Sequence, residues 1–263
     1  MWKILKNRIR EGHRTTEYSG REAADFPDRF RGRPELDAGK CADGCSDCVK
    51  ACPTQAIDVR NGLKLDLGRC LFCAECVSAC PEQAIQYTRD HRLAVRRRED
   101  LVIDPKHAER RLAESLDKKM KSLFGRSLKL RHVSAGDCSG CAVELQALSN
   151  VVFDLGRFGV QFVASPRHAD GILITGPVTE NMTLALRKTY DAVPPPKLVI
   201  AVGACAISGG PFRDSPEISN GVGAEFPVDL FIPGCPPHPL TILDGILRLL
   251  GRVSDRTAPV AHV

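Results

Sequence analysis

The chemistry of this chain is concentrated in its cysteines, of which the 263-residue sequence has twelve. The most specific pattern is the run Cys70-Leu-Phe-Cys73-Ala-Glu-Cys76-Val-Ser-Ala-Cys80-Pro, with the spacing C-x-x-C-x-x-C-x-x-x-C-P. Three thiolates of such a run hold one [4Fe-4S] cluster, and the fourth binds a neighbouring cluster. Zinc sites also use paired cysteines, but they lack a triple run followed by proline. The pattern therefore predicts iron–sulfur clusters and electron transfer.

An internal repeat supplies the partner of that run. The segment Cys45-Ser-Asp-Cys48-Val-Lys-Ala-Cys52-Pro-Thr-Gln-Ala-Ile returns 28 residues later from Cys73. With the fourth cysteine of each run crossing over, two ligand sets are predicted: Cys41, Cys45, Cys48 and Cys80 for the first cluster, and Cys52, Cys70, Cys73 and Cys76 for the second. Three residues separate Cys41 from Cys45 where the pattern has two, and we expect Gly44 to absorb the extra residue.

The remaining four cysteines follow predicted strands. Cys138-Ser-Gly-Cys141 lies at a strand-to-helix turn and, taken alone, also fits a thioredoxin-type redox pair. Cys205 and Cys235 each follow a further strand and complete a set of four. Four converging thiolates favour a cluster or zinc over thiol exchange, so we predict a third metal centre at Cys138, Cys141, Cys205 and Cys235.

The second half of the chain alternates apolar runs with helical patterns, which is typical of an α/β domain. Because the apolar runs are continuous, we expect a doubly wound parallel sheet of flavodoxin-like type, whose strand ends gather ligands at one edge. The helices are expected after Gly140, Thr179 and Pro239. The predicted strands are Leu128 to Val133, Val160 to Ala164, Gly171 to Thr175, Leu198 to Val202 and Leu230 to Ile232.

A cysteine-free, basic stretch separates the two groups of cysteines. Asp104-Pro105 is typical of a helix start, and we predict an amphipathic helix that ends at Gly125. Its apolar positions are Leu112, Leu116, Met120, Leu123 and Phe124. The helix could pack on a partner or simply be solvated; nucleic-acid binding is not expected, because no recognised module accompanies the basic residues.

The composition and net charge indicate which cofactors and which cellular surroundings suit the chain. The formal charge is +5, but three clusters would bring the total near about −1, since each adds four thiolates to a core of roughly +2. Twelve cysteines in a chain with no evident secretion signal indicate metal binding rather than disulfides. At the N-terminus Trp2, Leu5 and Ile9 alternate with basic residues, which suits an anionic membrane surface or, equally, a frayed terminus.

Residues 127 to 263 resemble the superfamily of the NADH-quinone oxidoreductase 20 kDa subunit and the [NiFe]-hydrogenase small subunit. The resemblance is carried by Asp137-Cys138-Ser-Gly-Cys141-Ala-Val-Glu144, Ser165-Pro-Arg-His-Ala-Asp170, Thr175-Gly-Pro-Val-Thr179, Gly203-Ala-Cys205-Ala-Ile-Ser-Gly-Gly210 and Ile232-Pro-Gly-Cys235-Pro-Pro-His-Pro239. The first half has Phe30-Arg-Gly-Arg-Pro-Glu35 before its first cysteine and Leu93-Ala-Val-Arg-Arg-Arg-Glu-Asp100 after its last. With these segments, residues 1 to about 103 are similar to the polyferredoxin-like electron carrier of formate hydrogenlyase. The chain thus resembles a fusion of an α+β two-cluster ferredoxin with a small subunit. We divide it into an N-terminal extension (1–34), a ferredoxin domain (35–90), a basic linker (91–126) and a small-subunit-like domain (127–263).

The resemblance implies a function and partners. Complex I members have adjacent cysteines at the first ligand position, whereas hydrogenase members have the C-x-x-C seen here, which favours the membrane-bound hydrogenase branch of formate hydrogenlyase or hydrogenase-4 type. It implies that Cys138, Cys141, Cys205 and Cys235 hold a third [4Fe-4S] cluster. It also implies a large subunit that holds the nickel–iron site, membrane subunits, and a donor such as a dehydrogenase or ferredoxin. We expect an electron-transfer subunit with no complete active site of its own, peripheral on the cytoplasmic side of the membrane. The alternative is a relay or scaffold subunit of a quinone-linked complex.

Four further residues have two interpretations each. Glu144 could couple protons to the third cluster or be a helix-dipole acid. His168 and Asp170 could act at the interface or hold their loop by hydrogen bonds. His238 could bond a cluster sulfur or cap the last helix.

Overall fold

The computed structural model describes residues 2–12, 14–16, 18, 26–42, 44–105, 112–125 and 127–253. Within those ranges no helix combines the length and apolar character that crossing a bilayer requires. The helices are α1 (Trp2–Glu11), α2 (Asp47–Ala51), α3 (Glu75–Ala79), α4 (Lys118–Phe124), α5 (Gly140–Ala147), α6 (Glu180–Ala192), α7 (Ala204–Ser208) and α8 (Pro239–Leu249).

A five-stranded parallel sheet forms the centre of the second half. It comprises β6 (Leu128–Ser134), β7 (Val160–Phe162), β8 (Gly171–Thr175), β9 (Leu198–Val202) and β10 (Leu230–Ile232). The spatial order is β10-β9-β8-β6-β7, so all five strands end at the same edge. The parallel α/β prediction is therefore confirmed. Three strands match the predicted ranges residue for residue, whereas β6 extends to Ser134 and β7 already ends at Phe162.

Helices cover both faces of this sheet. On one face Ile172 and Ile174 pack in a core with Leu186 of α6 and Ala206 of α7. On the other face Leu173 and its neighbours pack with Leu145 of α5 and Ile242 of α8. The continuous apolar runs follow from burial on both faces, because neither side of a central strand meets water. The short helix α7, which carries Cys205, was not predicted.

The first half is a small module of short helices and strands with an internal repeat. Helices α2 and α3 start 28 residues apart, as the repeat requires. Strand β1 (Pro34–Leu36) pairs antiparallel with β4 (Ile85–Tyr87). Strand β3 (Lys64–Asp66) pairs antiparallel with β2 (Ile57–Asp58) and with β5 (Val102–Ile103). So little regular structure leaves the module dependent on other cross-links.

The predicted linker helix begins later than the sequence indicated. Residues 104 and 105 are not helical, residues 106–111 lie outside the described part, and Leu112 and Leu116 precede the helix. Helix α4 starts at Lys118 because the carboxylate of Asp117 accepts a 2.8 Å hydrogen bond from Met120 N–H, which caps the helix. It ends before Gly125, as predicted. The predicted start was wrong because the apolar spacing continued through residues 112–117, which have no regular secondary structure although Leu116 is buried.

The two halves are joined by backbone and side-chain contacts. Val95 and Phe231 of β10 exchange two backbone hydrogen bonds of 3.0 and 2.8 Å, which adds a bridge at the edge of the parallel sheet. The buried hydroxyl of Ser208 donates a 2.9 Å bond to the carbonyl of Gly68. One hydrophobic core includes residues of both halves, among them Ile85 and Ile174. The cysteine groups of the two halves are therefore held in a defined relative position.

Candidate metal centres

Four thiols of the first half surround one cavity. Its lining includes Cys41, Cys45, Cys48 and Cys80, the predicted first set. Gly44 has a φ of +76° within a turn closed by a 3.1 Å bond from Cys45 N–H to Ala42 O. A positive φ suits glycine, so the extra residue after Cys41 is taken up in the turn. The structure thus brings Cys41 to the same cavity as the other three.

The second set of thiols lies on the other side of the repeat. The pKa of Cys70 is raised to about 12 and that of Cys76 to about 11; burial is the main cause of both shifts, and a Cys52 thiolate contributes to each. A Cys73 thiolate also acts on Cys76, so the four belong to one neighbourhood. The second set therefore includes Cys52, the last cysteine of the first repeat. In the same way, Cys80, the last cysteine of the second repeat, lies with the first set.

Backbone amides are directed at the thiols of both sets. Ala56 N–H donates to Cys52 Sγ at 3.2 Å, and Ala84 N–H donates to Cys80 Sγ at 3.3 Å, one repeat later. Phe72 N–H donates to Cys70 Sγ at 3.3 Å. Such donors favour the negatively charged thiolate, the form that binds metal.

The two repeats differ at a position beside the second set of thiols that the sequence analysis did not identify. Tyr87 occupies the place that Val59 has in the first repeat, and its hydroxyl lies 3.5 Å from Cys70 Sγ. Because a metal-bound thiolate has no proton to give, the tyrosine would donate. A comparison of the two repeats, residue by residue, could have found this difference between the two sites.

The third set gathers at the carboxyl edge of the parallel sheet. Cys138 follows β6, Cys141 lies in the first turn of α5, Cys205 lies in α7 after β9, and Cys235 follows β10. The pKa of Cys141 is raised to about 12; burial is the main cause, and thiolates at Cys205, Cys235 and Cys138 contribute. Cys138 and Cys235 are exposed, whereas Cys141 is buried. This set is consequently open to solvent on one side.

Asp137 holds the loop that carries Cys138. One carboxylate oxygen accepts bonds from Ser134 Oγ at 2.8 Å and from Ser139 N–H at 3.1 Å. The other accepts a bond from the Thr175 hydroxyl at the end of β8. The carboxylate thus ties the loop to two strand ends and adds negative charge beside the thiols of Cys141 and Cys205, whose pKa values it raises.

Glycines make room for the third set. An added Cβ on Gly203 would lie 2.5 Å from Cys141 Sγ, and one on Gly210 would lie 2.8 Å from Cys205 Sγ. Gly203 also has a φ of +90°. Both positions therefore exclude any side chain, because the thiol already occupies the space.

The donor sets fit clusters better than single ions. All twelve cysteines are free thiols, and among the described residues no three His, Cys, Asp or Glu side chains are arranged to hold one metal ion. Zinc needs its sulfurs about 2.3 Å from one centre, whereas thiolates around a four-iron core stand further apart. Burial and repulsion between thiolates raise the pKa of six of the thiols, and a positively charged iron core would offset both effects. These six are Cys48, Cys70, Cys76, Cys141, Cys205 and Cys235.

The other residues singled out in the sequence have structural contacts. Asp170 accepts a 2.7 Å bond from Lys129 N–H and so joins β6 to the start of β8. His238 accepts a 3.2 Å bond from Leu240 N–H through Nδ1 and caps α8. Glu144 is half-buried, which raises its pKa, and His168 is exposed. These contacts agree with a structural role for Asp170, which holds its loop by a hydrogen bond, and for His238, which caps the last helix.

Comparison with known proteins follows the same division. Residues 138–249 match the family described as NADH ubiquinone oxidoreductase, 20 Kd subunit, and residues 7–99 match a 4Fe-4S dicluster domain. A probable membrane-bound hydrogenase subunit of Pyrococcus furiosus is 40% identical over 148 residues, which is 56% of this chain and 89% of that protein. An NADH-quinone oxidoreductase subunit of Heliobacterium modesticaldum is 45% identical over 44% of this chain and 66% of its own length.

A solved structure is similar as well. A chain of the archaeal membrane-bound sulfane sulfur reductase is 34% identical and covers 52% of this chain and 75% of its own, with a TM-score of 0.45.

The parallel sheet, the free thiols and these similarities define an iron–sulfur electron-transfer subunit of an oxidoreductase complex. Within that class, the chain belongs to the family of the NADH ubiquinone oxidoreductase 20 Kd subunit, joined to a 4Fe-4S dicluster domain.

Proposed function

We propose that this chain relays electrons between a donor module and the nickel–iron site of a large subunit, in a membrane-associated [NiFe]-hydrogenase complex of group 4 type. The observation that carries the proposal is the C-x-x-C spacing of Cys138 and Cys141. The similarity to a hydrogenase subunit along 89% of that subunit's length supports it. The exposure of Cys138 and Cys235 supports a partner subunit that covers the third site.

Three [4Fe-4S] clusters would be held by the ligand sets stated above, with all twelve thiols used. When bound, the clusters supply reversible one-electron chemistry. The chain's own residues hold the sulfurs, donate N–H groups to them and exclude water from Cys48, Cys70 and Cys76, which are buried. No thiol is left over for a nickel site, so hydrogen chemistry belongs to the partner.

We propose a flavodoxin-like fold for the second half, because the sheet order numbered along the chain is 2-1-3-4-5. The proposed domains are the N-terminal extension (1–34), the ferredoxin domain (35–90), the basic linker (91–126) and the small-subunit-like domain (127–263).

A peripheral position at the cytoplasmic face of the membrane is supported by α1. Trp2, Ile4 and Ile9 are 86%, 75% and 82% exposed, and Lys3, Lys6, Arg8 and Arg10 lie among them. A basic helix with exposed apolar side chains suits an anionic lipid surface. Co-sedimentation of the chain with phosphatidylserine vesicles tests this position, and a variant with Trp2, Ile4 and Ile9 replaced by Ser should lose vesicle binding.

The alternative is a quinone-linked complex without hydrogenase activity. It is favoured by 45% identity to a subunit of NADH-quinone oxidoreductase. Isolation of the native complex separates the two. Nickel in the large subunit and hydrogen-dependent dye reduction are expected for the hydrogenase, and a nickel-free complex that reduces quinone would establish the alternative.

The cluster count has its own test. Anaerobically reconstituted chain should contain about twelve iron and twelve sulfide ions, since three cubanes have four of each. Cys41→Ser should convert the first cluster to a three-iron form, detected by paramagnetic resonance of the oxidised chain. Cys70→Ser, at the matching place in the other run, should instead damage the second cluster. Normal four-iron clusters in Cys41→Ser would remove Cys41 from the ligand set.

A further inference from the structure

The second and third cysteine sets approach each other at a cleft between the two halves. The cleft is lined on one side by Leu71 and Phe72 and on the other by residues 233–238, which include Cys235. Cys73 directly follows Phe72 of the first wall, and Cys235 lies in the second wall. The Cys73 loop of the ferredoxin half and the Cys235 loop of the parallel-sheet half therefore meet at this cleft.

Residues 26–33, here called the clamp segment, touch both walls of this cleft although they contain no cysteine. Arg31 donates two hydrogen bonds through Nη1, to the carbonyl of Phe72 at 2.8 Å and to that of Cys73 at 2.9 Å. Phe30 packs its ring 5.4 Å from the ring of His238, which stands three residues after Cys235 and caps α8. The segment therefore contacts the Cys73 loop and the Cys235 loop at once.

The clamp segment is itself firmly placed. Phe26 is 4% exposed and stacks on Phe30 with ring centroids 3.9 Å apart. Gly32 N–H donates to Thr88 O, and Arg33 N–H donates to Asp90 O, both at 2.8 Å. An added Cβ on Gly32 would lie 2.3 Å from Asp90 O, so the backbone passes directly against the chain that follows β4. A segment fixed in this way can hold one loop relative to another.

We propose that the clamp segment, through Arg31, sets the separation of the Cys73 and Cys235 loops and thereby the electron-transfer contact between the second and third clusters. The inference rests on the proposed function, because it needs clusters at both sets. One electron leaves the second cluster, which is oxidised, and reduces the third, and no bond forms or breaks. The first cluster is then the entry or exit point for a one-electron carrier. Arg31 is a positioning residue, since it binds the carbonyl of Cys73 and not the metal.

Arginine suits this position because its charge strengthens both hydrogen bonds. They come from the one Nη1 amino group, whose two hydrogens can be donated to adjacent carbonyls, whereas a neutral side chain lacks the positive charge. Electron tunnelling weakens steeply with separation, so loss of these bonds should slow transfer before it disturbs either cluster.

The test uses the full reconstituted chain and paramagnetic resonance of the fully reduced state. Wild type should show magnetic interaction between the second and third clusters. Arg31→Ala should weaken that interaction and slow electron transfer from the second to the third cluster several-fold. Iron content and the potential of the third cluster should stay unchanged, and Arg31→Lys should restore part of the interaction.

Arg29→Ala is the matched control, because Arg29 lines the same cleft two residues earlier. It should behave as wild type. If Arg31→Ala fails to load iron, the magnetic interaction and the electron-transfer rate are measured in Arg31→Gln and Arg31→Lys instead. Unchanged magnetic interaction and rate in an iron-replete Arg31 variant would overturn the inference and leave the proposed function standing. Fewer than three clusters in wild type would overturn both, and a nickel-free complex with an Arg31-dependent interaction would overturn the hydrogenase assignment alone.

Discussion

The hydroxyl of Tyr18 donates a 2.6 Å hydrogen bond to Asp244, a carboxylate with no exposed surface on α8. The second oxygen of Asp244 accepts a 2.7 Å bond from Arg248 Nε. The same hydroxyl lies 3.3 Å from Nε2 of His91, in the linker after the ferredoxin module. Three segments far apart in sequence are thus joined at one buried polar cluster.

Removing the hydroxyl tests what this cluster contributes. Tyr18→Phe should lower the free energy of unfolding by about 1.5–3 kcal/mol, because it deletes a buried hydrogen bond to a charged group. Urea unfolding of the iron-replete chain measures the loss. Tyr190→Phe is the control, since it keeps the ring that packs on Phe226. Equal stability of the two variants would contradict a structural role for the Tyr18–Asp244 bond.

His91 should make stability depend on pH. Burial lowers its pKa to about 4, against the nearby carboxylates of Asp244 and Asp90, which act in the opposite direction. In the unfolded chain the pKa is 6.5, so on acidification the unfolded state takes up the proton first. This contribution is fully present above about pH 6.5 and is lost as the pH falls towards 4, with a total on the order of 3 kcal/mol.

The measurement compares His91→Gln with wild type in urea at about pH 7.5 and about pH 5. The variant should lose less stability between the two values than wild type does. The change in unfolding free energy between the two pH values is compared between variant and wild type, because metal binding is pH-dependent in both proteins. His168→Gln, at an exposed position, should retain the wild-type difference. An unchanged difference in His91→Gln would show that the imidazole is not the group responsible.

We predict that the third cysteine set has no room for a side chain at position 203. Gly203→Ala places a Cβ 2.5 Å from Cys141 Sγ at a φ of +90°, so the third cluster should fail to assemble and total iron should fall by about one third. Gly223→Ala is the control, because no atom lies within 4 Å of its added Cβ. Iron and sulfide analysis distinguishes them, and full iron content in Gly203→Ala would show that the loop can yield.

The tyrosine at the second site should tune its potential. Tyr87→Phe removes the hydroxyl 3.5 Å from Cys70 Sγ and should lower the reduction potential of the second cluster, because a hydrogen bond to the thiolate offsets negative charge. Redox titration followed by paramagnetic resonance measures the shift. The first cluster, where Val59 takes the matching place, should keep its potential. An equal shift at both clusters would point to a general change in the module.

Local patterns in the sequence determined the element types and the chemistry. The strands Gly171–Thr175 and Leu198–Val202 were predictable because burial on both faces leaves a continuous apolar run between turn residues. The ferredoxin run was predictable because the cysteines of a cluster lie close in sequence. The start of α4 was not, since a capping carboxylate at Asp117 outweighed apolar spacing that continued further upstream.

Tertiary structure decided which distant residues meet. Cys138, Cys205 and Cys235 could be assigned to one edge from strand order alone, but the contact of Arg31 with the Cys73 loop has no sequence signature. The same holds for Tyr18 and Asp244, which are 226 positions apart. Such contacts depend on how two modules pack, and packing is set by the shapes of whole surfaces rather than by any repeat or spacing along the chain.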